Sequence, residues 1–252
     1  CPLSPLLFIT VVDSLLRCLK SRIHKSFPKA YADDTALVVR DLFRDLPTIR
    51  AIFDDFARVS GLHLNIPKTL IIPLGDQDPQ QVSQALHDNN DPWRAIQRAH
   101  HGTYLGFVIG PDKGNRSWEK PLQKARSRIP SWPWTTLGLQ YSATVYNTYV
   151  LPTLTFVAQL ERPPLAAKKY EEDALAKIAV GPNNWFQTKD LFFLEETYGL
   201  SYRFRSLAHT ALAAQLRVAM WEDGADGGLR VRDQALYLRS LLLRYHDNDR
   251  RW

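Results

Sequence analysis

Leu7, Phe8, Val11, Val12, Leu15, Leu16 and Leu19 recur every three to four residues near the start of the chain, the period of a single buried helix face. Ser4 is placed to cap that helix and Pro5 to occupy its first turn, so a helix running to about Lys20 is predicted. After Phe27 the pattern changes. Ala30-Tyr31-Ala32-Asp33-Asp34-Thr35 leads into the apolar run Ala36-Leu37-Val38-Val39. A hydrophobic approach, two adjacent carboxylates and a β-branched exit read as a strand, a tight turn and a second strand. Helical spacing returns over 46–60, with Ile49, Ile52, Phe53, Phe56 and Val59 on the inner face and Gly61 to end it. Leu70-Ile71-Ile72 is strand-like. The stretch 75–90 is polar, with a short helix predicted over 79–87, and 103–110 alternates and ends on glycine, which predicts a strand.

Beyond Gly110 the spacing is helical almost throughout. The segment 118–129 carries Lys120, Lys124, Arg126 and Arg128, with Lys113 and Arg116 just ahead and only Asp112 and Glu119 opposing them. A long apolar helix is predicted over 142–160, kinked or broken at Pro152. Further helices are predicted over 166–180, ended by Gly181-Pro182, and over 201–221 and 232–245. The fold class is therefore α+β, an antiparallel sheet with helices on one face over 1–110 followed by an all-helical region over 111–252.

Composition narrows the function classes only a little. The 252 residues suffice for one or two cores, and 45% apolar with 23% charged content is that of an ordinary globular chain. A net charge of +6 is compatible with a polyanionic partner. Two cysteines, Cys1 and Cys18, exclude a disulfide framework and point to a reducing compartment. No apolar run approaches the ~20 residues of a membrane span. The seven histidines show no metal-ligand spacing with the cysteines, and no glycine-rich phosphate loop is present. The chain begins at Cys1 and its only methionine is Met220, so it reads as a piece of a longer frame.

The chemistry centres on Asp33 and Asp34. Two carboxylates on one rigid turn suit a hard cation such as Mg²⁺ (or Mn²⁺), which keeps several waters and takes one or two carboxylates plus substrate phosphates. Tyr31-Ala32-Asp33-Asp34 resembles the catalytic turn of reverse transcriptases. Pro2, Ser4, Pro5, Leu6 and Phe8 resemble the Pro-x-Ser-Pro-x-x-Phe segment of the non-LTR retrotransposon branch, Leu62 to Thr69 its fourth palm motif, and Tyr104-Leu105-Gly106 its primer grip. All four occur in the family's order.

The resemblance implies an RNA-directed DNA polymerase comprising the later part of a palm (1–110) and a helical thumb (111–252). An RNA template, a DNA primer and dNTPs are its implied partners. It further implies that Asp33 binds metal directly with Asp34 beside it, that Pro2 and Ser4 line the nucleotide and template pocket, and that Tyr31 packs near the primer end. Lys68 would approach the triphosphate and protonate the leaving pyrophosphate. Tyr104, Leu105 and Gly106 would contact primer, with Gly106 allowing close backbone approach. Lys120 and Lys124 would hold the template–primer phosphates. Asn65 is read as fixing the turn before Lys68, and Trp132 and Trp134 as core or base-stacking residues. The family's third metal-binding aspartate lies on an earlier strand that this chain lacks, so the chain alone is expected not to polymerise. A non-catalytic nucleic-acid-binding remnant and a group II intron maturase, which shares the turn, are the alternatives.

Overall fold

The computed structural model describes residues 3–75, 80, 82, 92–181 and 185–225. Pro2, most of the predicted 79–87 helix, Pro182 and the whole predicted 232–245 helix lie outside the described residues. The fold is α+β, and the chain divides into two compact units, Cys1–Ala99 and His100–Trp252.

In the first unit, helix α1 (Ser4–Arg22) buries Val12, Leu15 and Leu19. Its cap is Leu3, whose carbonyl accepts from Leu7 N; Ser4 lies inside the first turn and makes no side-chain cap bond. Ser4 is therefore not the cap, because Leu3 already has helical dihedrals and starts the helix one residue sooner. Strands β1 (Phe27–Tyr31) and β2 (Asp34–Val38) form an antiparallel hairpin in the register Phe27↔Val38 through Tyr31↔Asp34. Helix α2 (Leu42–Ser60) starts earlier than the periodicity predicts because the Asp41 carboxylate accepts from Arg44 N and caps it. Gly61, at φ 72°, ends it as predicted.

Leu15, Leu19, Ile23, Ile49 and Ile52 form the core here, with Leu37, Val39, Phe53, Phe56 and Trp93 packed against it. Val59 departs from the prediction. It is 92% exposed, because the last turn of α2 extends past this cluster. A short parallel pair, β3 (Leu70–Ile71) with β4 (Gln97–Arg98), completes the described part of the unit.

The second unit opens with a hairpin, β5 (Gly102–Tyr104) and β6 (Phe107–Ile109), where one continuous strand is predicted. Leu105 and Gly106 both have positive φ, 49° and 85°, and turn the chain within two residues. Helix α3 (Glu119–Arg128) falls where the basic segment predicts one. Helix α4 (Trp134–Val145) begins before the predicted start and breaks its dihedrals at Gly138. A π-turn, Tyr146–Val150, then leads into α5 (Pro152–Ala158). The predicted interruption is thus a wide turn just ahead of Pro152, closed by Leu151 N donating to Tyr146 O.

Helices α6 (Leu165–Ile178), α7 (Thr188–Phe192), α8 (Leu194–Tyr198) and α9 (Leu207–Ala225) follow. Helix α9 starts later than predicted, because the segment before it is extended: Phe204 N donates to Leu191 O, and the Asn147 side chain bonds both Arg203 O and Arg205 N. One continuous cluster from Trp118 to Ala211 forms the core.

Candidate functional site

The carboxylate turn is built by its register. Tyr31 pairs with Asp34, which leaves Ala32 and Asp33 as the two loop residues. Ala32 holds φ 51°, a conformation a side chain disfavours. Tyr31, Ala32, Asp33 and Asp34 are all exposed. Behind them Leu37 and Val39 pack on the α1–α2 core, so the tip projects from a braced base. Among the described residues neither Asp33 nor Asp34 has an ion pair or a side-chain hydrogen bond. By contrast, Asp13, Asp45, Asp54 and Asp55 are each paired with an arginine of their own helix.

Two adjacent unpaired carboxylates repel one another, and a divalent cation is the partner that offsets this. The donor set fits one hard cation completed by water and phosphate oxygens. No group of three or more His, Cys, Asp or Glu side chains suited to a metal occurs among the described residues.

The other predicted residues of this unit stand as follows. Ser4 is exposed in the first turn of α1. Lys68 ends a 3-10 turn, Ile66–Lys68, in which Asn65 Oδ1 accepts from Lys68 N at 3.2 Å and Thr69 Oγ1 donates to Asn65 O at 2.8 Å. Gln97 Nε2 donates to Pro67 O and ties the turn to β4. Asn65 thus fixes the turn as read from the sequence. The Lys68 side chain is exposed and makes no ion pair or hydrogen bond with Asp33 or Asp34.

Tyr104, Leu105 and Gly106 belong to the second compact unit, which begins at His100. The reason is packing. Phe107 lies 5.2 Å from the Phe156 ring, and Val108 N donates to Ser117 Oγ, which donates to Glu161. Lys113 also pairs with Glu161, at 3.2 Å. A Cβ on Gly106 would meet Phe156 Cε1 at 3.1 Å. The open side of Gly106 therefore faces a ring of its own unit, and its positive φ makes the turn; both are internal reasons for glycine there.

On α3, Lys120 and Lys124 are exposed one turn apart, opposite buried Leu122 and Ala125, and neither has a partner among the described residues. Arg126 lies 6.0 Å over the Tyr170 ring and Arg128 donates to Tyr149 O, so those two cations are engaged inside the unit. Trp134 is core, its Nε1 donating to Ile129 O at 2.6 Å. Trp132 is half-buried against Tyr149, ring centroids 5.3 Å apart.

Two features escaped the sequence reading. Lys29 shares the outward face of β1 with Tyr31, two residues on, and both are exposed there. Glu171 is buried on α6, where its Oε1 accepts from Tyr146 Oη at 3.0 Å and from Leu207 N at 2.6 Å, joining α6 to the start of α9. Burial pushes the Glu171 carboxyl up to about 7 against the opposing pull of those two donors, and burial likewise raises Tyr146 well above the ordinary phenol value. A lone buried glutamate on an otherwise amphipathic helix carries no motif that could have flagged it.

Hairpin, braced carboxylate tip and following helices define a mixed α+β protein with an exposed carboxylate pair on a solvent-facing turn. Residues 1–109 match the family model for reverse transcriptase (RNA-dependent DNA polymerase), which takes in the carboxylate turn, the Lys68 turn and the β5–β6 hairpin. No curated protein matches the chain. Among the described residues no helix is long and apolar enough to cross a membrane.

Proposed function

We propose that the chain is the palm-and-thumb portion of a non-LTR retrotransposon reverse transcriptase, acting in RNA-directed transfer of nucleotides from dNTPs to a DNA primer. The observation that carries this reading is the unpaired Asp33–Asp34 tip, held on a braced hairpin within the stretch that matches the reverse transcriptase family. A structural turn would gain nothing from two uncompensated neighbouring carboxylates.

In this reading Asp33 holds a divalent cation and Asp34 supports it from the first position of β2. A bound Mg²⁺ or Mn²⁺ supplies charge neutralisation at the transferring phosphate and acidifies the attacking hydroxyl. Tyr31, on the face of Asp34, offers a ring against the primer end. Lys68 presents an ammonium to the triphosphate and gives a proton to the leaving pyrophosphate. Lys120 and Lys124 contact phosphates of the template–primer as point charges.

Two carboxylates do not clamp two cations, so the 252-residue chain by itself binds template and primer without extending the primer. A non-catalytic nucleic-acid-binding role is the second reading, favoured by the absence of any three-ligand cluster among the described residues.

Binding of Mn²⁺, followed by the loss of its free-ion EPR signal on adding protein, tests the cation site. Asp33→Asn is expected to abolish binding and Asp34→Asn to weaken it; equal binding by all three proteins would remove the basis of the polymerase reading. Primer extension on an RNA template with Mg²⁺ and dNTPs is expected to give no product from the chain alone. Product that disappears with Asp33→Ala would overturn the claim of inactivity and leave the polymerase reading standing.

A further inference from the structure

The second unit holds a cavity of about 290 Å³, at the small end of the range for ligand sites. Trp118 and Leu122, both buried, line it together with Pro164 and Ala166 from the start of α6. The loop 112–116 and Glu119 supply its polar rim. Bonds to distant residues fix this frame. Ser117 Oγ accepts from Val108 N at 2.9 Å and donates to Glu161, and Glu161 also pairs with Lys113. The cavity is therefore formed before anything enters it.

Trp118 is 1% exposed, and its indole Nε1–H has no hydrogen-bond partner. Two other indoles of the unit are satisfied: Trp134 donates to Ile129 O at 2.6 Å and Trp185 to Ala179 O at 3.3 Å. A buried donor left without an acceptor is costly and uncommon, and at a cavity wall a ligand can supply the acceptor. The cations of the rim are already engaged. Arg116 pairs with Asp112 at 3.3 Å and donates to the His101 ring, and Lys113 is held by Glu161. Asn115 and Glu119 are exposed at the rim and make no side-chain hydrogen bond or ion pair among the described residues.

We infer that this cavity binds a small, flat, neutral ligand bearing a primary carboxamide. Its carbonyl oxygen accepts from Trp118 Nε1–H, its NH₂ group donates to the rim acceptors of Glu119 and Asn115, and Leu122, Pro164 and Ala166 cover its apolar body. An amine would serve Glu119 and leave the indole unsatisfied. A carboxylate or phosphate would serve the indole and be repelled by Glu119, with the neighbouring cations already neutralised. A carboxamide carries acceptor and donors on one group and serves both. The bound ligand bridges the start of α3 and the start of α6, so it stabilises the second unit by mass action. Nothing in this depends on the polymerase reading, because no group of the carboxylate turn enters it.

The test uses the whole 252-residue chain, isotope-labelled for detection of indole N–H groups by NMR, with nicotinamide as the probe. Benzoate, which lacks the donors, and benzylamine, which lacks the acceptor, are the matched comparisons. Of the signals from the seven tryptophans, the one lost in Trp118→Phe reports the site. Nicotinamide is expected to shift that signal with a Kd on the order of 1 mM, the affinity open to so small a ligand. It should also raise the thermal midpoint of the chain. Glu119→Ala should weaken binding about 5-fold. Ala166→Phe fills the cavity from an exposed position of α6 and so keeps the fold; it should abolish both the shift and the thermal effect. Benzoate or benzylamine binding as well as nicotinamide would overturn the carboxamide assignment. No shift at about ten times the expected Kd, or a shift that survives in Ala166→Phe, would overturn the site.

Discussion

In the first unit five buried aliphatic residues, Leu15, Leu19, Ile23, Ile49 and Ile52, support a hairpin whose chemical groups all stand in solvent. In the second unit a continuous core runs from Trp118 to Ala211, and several polar side chains brace the elements around it. Glu171 joins two helices, Asn147 clamps an extended segment, Ser117 and Glu161 lock the β5–β6 hairpin, and Arg128 closes onto a carbonyl. The first unit therefore fixes its candidate chemistry by strand register and turn geometry. The second fixes helices by burial, and Lys120 and Lys124 are among its cations that have no partner among the described residues and can meet a polyanion. Substitutions at the first should change binding and chemistry with little effect on folding, and substitutions inside the second should do the reverse.

The largest effect expected from this contrast is Leu175→Ala. Leu175 is fully buried on α6, and its truncation should cost about 2–5 kcal/mol from lost burial plus the cavity left behind. Asp33→Asn, at an exposed tip, should change stability by less than about 0.5 kcal/mol. Urea titrations of both variants check this. A large loss in Asp33→Asn, or none in Leu175→Ala, would break the contrast.

A smaller effect, and a sharper one, attaches to Glu171. Its carboxyl is raised in the folded state from 4.5 to about 7, chiefly by burial. The folded protein therefore holds that proton more tightly than the unfolded chain does. The resulting stabilisation is fully present below about pH 4.5 and is lost as pH rises through about 7. A shift of this size corresponds to at most about 3 kcal/mol across the window. Glu171→Gln keeps an acceptor for Tyr146 Oη and Leu207 N but cannot ionise, so this part of the pH slope should vanish. Measured unfolding free energies at pH 4.5 and 7.5 in both proteins decide it, and an unchanged slope in the variant would assign the pH dependence to other groups.

The same contrast explains what could be read from the sequence. Alternation and helical spacing located α1, the β1–β2 hairpin, α2 and α3, because each is governed by a local period and a local stop such as Gly61. Asp33 and Asp34 were legible for the same reason: turn chemistry is written in adjacent residues. Register was not. Which residues of β2 stand opposite Lys29 and Tyr31 depends on pairing across the strands, and Phe27↔Val38 cannot be deduced from either strand alone. Val59 was misjudged because periodicity says which side a residue faces and nothing about where the core beyond it ends. Alternation over 103–110 does not show the β5–β6 turn, because Leu105 at φ 49° is a residue type that turn rules disfavour; only the resemblance of Tyr104-Leu105-Gly106 to a primer-grip hairpin pointed to it. The late start of α9 was missed because the extended segment before it is held by Asn147 and Leu191, distant in sequence.

The smallest expected effect lies at Ala32. A residue with a Cβ held at φ 51° is strained, because in that region the Cβ crowds the following carbonyl, at a cost of roughly 1–2 kcal/mol. Glycine adopts the conformation freely but loses more chain entropy on folding, roughly 0.5–1 kcal/mol. Ala32→Gly should therefore stabilise the protein by no more than about 1 kcal/mol, read as a small shift of the urea midpoint at constant slope. Its second readout is Mn²⁺ affinity. If alanine serves only to connect the strands, the gain in stability leaves cation binding unchanged. If the Cβ stiffens the tip and so keeps the two carboxylates convergent, Ala32→Gly weakens Mn²⁺ binding even as the fold gains. The second outcome is the one expected from an unpaired carboxylate pair with no hydrogen bonds of its own to orient it, since backbone geometry is then all that aims Asp33.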